Sequence, residues 1–229
     1  MNYNKAIGTV SRMYSTAPGE YFLDSWEKLI LYNREFLETE GYIHYNKASV
    51  SYHELGRSEI VNDMRGDWIF MLDTDHMFAP DLLDRMLFLM EKEKLEVLSG
   101  TYQYKRPPHG IVANLWTSPS KEDKGLTPIL DWDRKAPLIQ IGACGGGVLL
   151  VKRSVFSKIN EAGFSPFAKV EGLSEDYSFC YRCKQLDIPV FLAPQIQSHH
   201  VINNPLFIQD YMAPGGGRHI LAEDGKIKI

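Results

Sequence analysis

The sequence is poor in cysteine, with three residues, Cys144, Cys180 and Cys183, among 229. That is too few and too uneven for a disulfide framework. Cys180-Tyr-Arg-Cys183 has the spacing of half a zinc site, but no second pair completes it. Buried small helix residues or a redox pair remain as readings of the two. Long apolar runs are missing as well. None approaches the roughly 20 residues of a membrane span, and residues 1–5 carry no apolar signal core. The plain expectation is a cytosolic protein. Basic excess is absent too: a formal charge of −4 and a pI near 6.0 supply no global field for nucleic acid, although a local basic groove stays open. There is no internal repeat and no low-complexity tract. A triple glycine occurs at Gly145-Gly-Gly147, but the Lys-Ser/Thr ending of a nucleotide P-loop does not follow it.

What is present is ordinary soluble-protein material, 44% hydrophobic and 24% charged, in a chain long enough to bury a proper core. The chain is organised around Trp68-Ile-Phe-Met-Leu72, five apolar residues that end abruptly in Asp73-Thr-Asp75. A run without alternation suits a strand buried on both faces. Ligands of open α/β sheets bind beyond the carboxyl ends of strands, where these carboxylates fall. Two residues apart on an extended backbone, their side chains point the same way, and two hard oxygen ligands can hold a divalent cation and through it a diphosphate. The same pattern also fits a strand-to-helix turn with Asp as a cap.

The flanking segments read as alternating strands and helices. A first strand covers Ala6–Val10, with Ser11 and Arg12 at its carboxyl end. A helix follows over Ser25–Leu37, with Trp26, Leu29, Ile30, Asn33, Phe36 and Leu37 on one stripe and Gly41 as its stop. Tyr42–Tyr45 is a second strand and Gly56–Met64 another helix. Pro80 opens the next helix in its first turn, and Glu96–Thr101 is the following strand. This is an α/β order. From Tyr102 to about Pro137 periodicity is lost. Tyr102, Tyr104, Lys105, Arg106, His109 and Trp116 mix aromatic and basic residues, as a sugar or base site would, or as a surface hairpin would. The glycines at Gly145–Gly147 allow a close approach to the backbone by a sugar or by a neighbouring strand. Ser174 is placed to cap a helix whose first turn holds Glu175 and Asp176, where the dipole favours anions. Asp176 there suits a general base; taken in isolation, the trio is more often explained by capping alone. After the strand Ile188–Leu192 comes the pair His199-His200, of which one imidazole at most turns to a site on extended backbone.

Taken in order, Leu72-Asp-Thr-Asp75, Ser174-Glu-Asp176 and Pro194 with His200 six residues on resemble the GT-A glycosyltransferases, in particular small family-two-like members from bacteria and their viruses. Gly56-Arg57, Phe78-Ala-Pro-Asp81 and the Gly145–Leu150 run add to the likeness, which covers roughly residues 5–201. Ser58 departs from it, since many relatives carry Asn there. The resemblance implies a GT-A-like (Rossmann-like) α/β fold with a mixed, mostly parallel sheet flanked by helices. It implies one catalytic domain over 1–229: a nucleotide-sugar half to about residue 101, an acceptor half over about 102–201, and a tail over 202–229 that can fold over a ligand. The implied activity is metal-dependent transfer of a sugar from a UDP- or GDP-sugar to an acceptor hydroxyl, with inversion. Asp73, Asp75 and His200, with His199 as the alternative, are the implied ligands of Mn²⁺ or Mg²⁺. Asp176, with Glu175 beside it, is the implied base. Ser11, Arg57 and Arg218, with His219, are the implied contacts to the nucleotide. The acceptor is a glycan, another small hydroxyl compound or a modified base of viral DNA, in the host cytoplasm if the chain is viral. Two other classes stay in view. A sugar-phosphate nucleotidylyltransferase would want a glycine-rich basic loop where Ser11–Ser15 stands, and a non-catalytic carbohydrate- or nucleic-acid-binding module would have no use for both Asp73 and Asp75.

Overall fold

The computed structural model describes residues 8–13, 19–39, 41–45, 53–105, 110–117, 120–129, 132–133 and 135–201. Its elements are β1 (Gly8–Met13), α1 (Glu20–Tyr32), α2 (Arg34–Thr39), β2 (Gly41–Tyr45), α3 (His53–Asn62), β3 (Trp68–Asp73), β4 (His76–Phe78), α4 (Leu82–Lys92) and β5 (Val97–Thr101). Then follow β6 (Ala113–Trp116), β7 (Leu126–Pro128), β8 (Ile139–Ile141), β9 (Ala143–Cys144), β10 (Val148–Lys152), α5 (Arg153–Glu161), α6 (Glu175–Gln185) and β11 (Val190–His200). The main sheet has the order β2-β1-β3-β10-β5-β11-β4, with β8 also on β11. Strands β1, β2, β3, β5 and β11 run one way, while β10, β4 and β8 oppose them. The sheet is mixed, as expected, with five of its eight strands running the same way. A small antiparallel sheet, β7-β6-β9, stands beside it.

The unbroken apolar run of β3 is explained by its place between two cores. Trp68, Phe70 and Leu72 join Phe22, Trp26 and Leu29 of α1 and Leu82, Leu83, Met86 and Met90 of α4 on one face. Ile69 and Met71 join Ile60 of α3, Val155, Phe156 and Ile159 of α5 and Phe179, Cys180 and Cys183 of α6 on the other. All five apolar residues of β3 are essentially inaccessible; a polar residue at any of them would lose a buried contact and be left without a partner. All three cysteines are free and buried. Burial raises the Cys183 thiol, and for Cys180 the contact with Cys144, then burial, do the same. These are packing residues.

Four local expectations are corrected. The first helix starts earlier, at Glu20, because Phe22 buries against Trp26 with stacked rings 5.8 Å apart. It then breaks at Asn33, whose side-chain amide donates to the carbonyls of Leu29 at 2.8 Å and Pro80 at 3.4 Å, competing with helical geometry. Pro80 lies in the turn ahead of α4 rather than in its first turn, because residues 76–78 form a short strand first. Ser174 occupies the N-cap position of α6, but its hydroxyl bonds to the Asp176 carboxylate and not to a backbone amide. No helix among the described residues is long and apolar enough to cross a membrane.

Candidate active site and metal centre

The extended backbone expected through both carboxylates stops at Asp73, and Thr74 and Asp75 form a turn into β4. The two side chains therefore take different partners instead of acting as a pair. Asp73 Oδ1 accepts from Arg57 Nη2 at 3.0 Å. Asp75 faces two histidines, with its Oδ1 3.7 Å from His76 Nε2 and 4.0 Å from His200 Nε2. The antiparallel pairing of β4 with β11 produces this group, since it sets His76 directly opposite His200, while His199 lies opposite Met77. One ligand atom from each of Asp75, His76 and His200 lies within 4.8 Å of the others.

These residues fit a divalent cation. Asp75 Oδ1 and His76 Nε2 are both buried without a hydrogen-bond partner, and a buried polar atom left alone needs an explanation. His200 Nδ1 lies against the Gln103 carbonyl, an acceptor only, so Nδ1 carries the proton and the Nε2 lone pair faces Asp75. His76 Nδ1 sits 2.8 Å from the Ser198 hydroxyl, which permits the same tautomer. Both imidazoles are held uncharged. Burial pushes the His76 pKa well below its ordinary value, and proximity to His200 and to the Lys105 ammonium adds to this. Burial also lowers that of His200, against the pull of Asp75. Mixed imidazole and carboxylate donors suit Mn²⁺ at least as well as Mg²⁺. Sequence reasoning passed over His76. Its signal was a lone polar residue between the acidic pair and the apolar Met77-Phe78.

Arg57, expected at a diphosphate, is 2% exposed. Its guanidinium donates to Asp73, to the Gly146 carbonyl at 3.0 Å and to Glu175 Oε1 at 3.4 Å. Burial opposes its charge, and Asp73 and Glu175 more than offset that, so its pKa stands above the ordinary value. Glu175 is itself buried, 8% exposed at its side chain. Asp176 is held differently. Its Oδ1 accepts from the Tyr177 amide at 2.8 Å and from the Ser174 hydroxyl, and among the described residues its Oδ2 accepts only from the Gly146 amide at 3.2 Å.

The glycines explain how these parts come together. What approaches their backbone is neither a sugar nor a strand but the site's own side chains. A Cβ on Gly145 would strike the Tyr102 hydroxyl, one on Gly146 the Arg57 guanidinium, and one on Gly147 would lie 2.7 Å from His76 Nε2. Tyr102, for which the sequence left both a sugar or base site and a surface hairpin open, is 3% exposed. Its hydroxyl accepts from the Gly147 amide at 2.9 Å, and its ring edge packs on His76 and His200. Burial, followed by the nearby Asp73, keeps its phenol protonated. Ser11 lies in β1, opposite His44 and Met71. Arg218 and His219 lie outside the described residues.

No protein-family model matches this chain, and no curated protein matches it in sequence. Solved structures do. A197 from STIV superposes with a TM-score of 0.54 at 16% identity, over 85% of this chain and 85% of that one. GalNAc-T7, in a structure with UDP, GalNAc and Mn²⁺, superposes with a TM-score of 0.60 at 12% identity. The match covers 91% of this chain and 46% of GalNAc-T7, so this chain spans about half that protein's length. The fold is GT-A-like. Within this GT-A-like sheet, Asp75, His76 and His200 gather beyond the carboxyl end of β3, the place where open α/β sheets bind their ligands.

Proposed function

We propose that the protein is a metal-dependent glycosyltransferase that moves a sugar from a nucleotide-sugar donor to an acceptor hydroxyl with inversion. The observation that carries this reading is the buried, unpartnered pair Asp75 Oδ1 and His76 Nε2 beside His200, in a GT-A-like fold. The presence of UDP and Mn²⁺ in the GalNAc-T7 structure supports it. Asp75, His76 and His200 hold the cation, and His199 is left out of the group. Bound there, a divalent cation supplies electrostatic stabilisation to a departing nucleoside diphosphate.

The chain's own residues do the rest. Asp176 takes the proton of the acceptor hydroxyl, on Oδ2, the oxygen with one donor where Oδ1 has two. Glu175 positions that base through Arg57 instead of moving a proton itself. Asp73 fixes the other end of the same guanidinium. The half of the chain up to about residue 101 serves the donor, and the half from Tyr102 to Val201 serves the acceptor, supplies the base and contributes His200 to the cation.

Calorimetric titration with a panel of nucleoside diphosphates, with and without Mn²⁺, tests this. Metal-dependent binding of one of them is expected, with loss of that binding in Asp75→Ala. Absence of binding to every member by folded protein would leave a non-catalytic binding module as the better reading.

A further inference from the structure

Four successive residues of the chain, Tyr102 to Lys105, each touch the site. Tyr102 backs the two imidazoles, the Gln103 carbonyl fixes the His200 tautomer, and the Tyr104 hydroxyl meets that of Tyr177, next to Asp176. Lys105 completes the series. Its ammonium bonds to Asp75 Oδ2, while the partnerless Oδ1 of the same carboxylate faces the two histidines. The segment is anchored by antiparallel pairing, through the Gln103–Ile111 bridge and a 2.8 Å bond from the Tyr104 amide to the Gly110 carbonyl. Lys105 is thus delivered to the carboxylate by fixed backbone, with a flexible side chain at the end of it.

We propose that Lys105 is an internal counter-ion of the metal site: a divalent cation displaces it from Asp75, and it then binds the diphosphate of the nucleotide. This rests on the glycosyltransferase reading above and adds to it a residue that handles the diphosphate. Three physical points lead there. A dication among Asp75 Oδ1, His76 and His200 would share one carboxylate with an ammonium, and the repulsion at that separation is strong. The lysine pair is easily given up, since its partners are 42% and 37% exposed and such pairs contribute little. A phosphate oxygen bound to the same cation, with metal–oxygen bonds of about 2 Å, lies within roughly 4 Å of the Asp75 oxygen. A change of lysine rotamer is enough to exchange one anion for the other.

The exchange predicts effects of opposite sign from one substitution. Lys105→Met should raise the affinity of the nucleotide-free protein for Mn²⁺ by about two- to fivefold, the size of an exposed ion pair. In saturating Mn²⁺ it should lower the affinity for UDP, or for whichever nucleoside diphosphate the wild type binds, by about tenfold or more, as for loss of a charged hydrogen bond. Lys121→Met, which removes the same charge from an exposed pair with Asp187, should change neither. Both constants are read by calorimetry without turnover. If both affinities move in the same direction in Lys105→Met, or Lys121→Met reproduces its effects, the proposal fails while the function stands. If the wild type binds neither Mn²⁺ nor any nucleoside diphosphate, both fall together.

Discussion

At the scale of single residues the site separates into side chains with room to act and side chains already engaged. Asp176 belongs to the first kind. It stands at the positive end of α6, its Oδ1 doubly hydrogen-bonded and its Oδ2 singly so. Asp176→Asn preserves shape and removes the proton acceptor. Turnover is expected to fall by about 10²-fold or more, with donor affinity unchanged, as for loss of a general base. Parallel single-turnover and binding measurements check this; turnover at wild-type level would reduce Asp176 to a cap. The places of Asp176 in a first helical turn and of Asp73 at a strand end were readable from local pattern, because both are set by neighbours in sequence. His76 was not. Its place depends on His200, which faces it across a strand pair formed by residues more than 120 positions apart.

At the scale of elements, one guanidinium holds three of them in register. Arg57 on α3 reaches Asp73 at the end of β3, the Gly146 carbonyl before β10 and Glu175 at the start of α6. Removing it leaves a buried carboxylate without its counter-charge, at a cost of about 3–5 kcal/mol for a buried pair. The lower end of that range applies, since Asp73 is 31% exposed. Arg57→Met should therefore lower the urea midpoint at neutral pH, and adding Glu175→Gln should restore part of the loss. A double variant as unstable as the sum of the two single ones would show that the pair is not coupled. The elements themselves were largely legible, for a physical reason. β3, β5, α5 and α6 are each specified by an apolar pattern or a cap within their own span. β4 was missed because three residues carry no period. β11 runs on to His200, well past the apolar stretch that announced it, because β4 and β8 pair with it and β5 does so on its other edge. Such partners are long-range and leave little trace in local sequence.

At the scale of the whole molecule, the sheet carries a core on each face and the candidate metal group at one end, so the group's protonation is tied to global stability. His76 and His200 are both uncharged in the fold because burial lowers their pKa values. In the unfolded chain both return to about 6.5. The unfolded state therefore binds more protons than the native state as pH falls below that value, and acid favours unfolding. Stability from this source is complete above about pH 6.5 and drains away as pH drops toward the lowered native values. The slope is at most about 1.4 kcal/mol per pH unit for each histidine. For protein freed of metal with a chelator, the urea midpoint should thus decline from pH 7 to pH 5.5, before the carboxylates begin to titrate. Mn²⁺ should raise the midpoint at pH 7, because only the native state assembles its ligands. It should do so less at pH 5.5, where protons compete for the same lone pairs. The control is His76→Gln, whose absolute stability is free to differ but whose midpoint should depend less on pH over this interval. A metal-free midpoint that rises as pH falls from 7 to 5.5 in the parent protein would mean that the fold binds these protons more readily than the unfolded chain, with the two imidazoles held charged. Neither could then offer a cation its lone pair, and the metal centre would have to be abandoned.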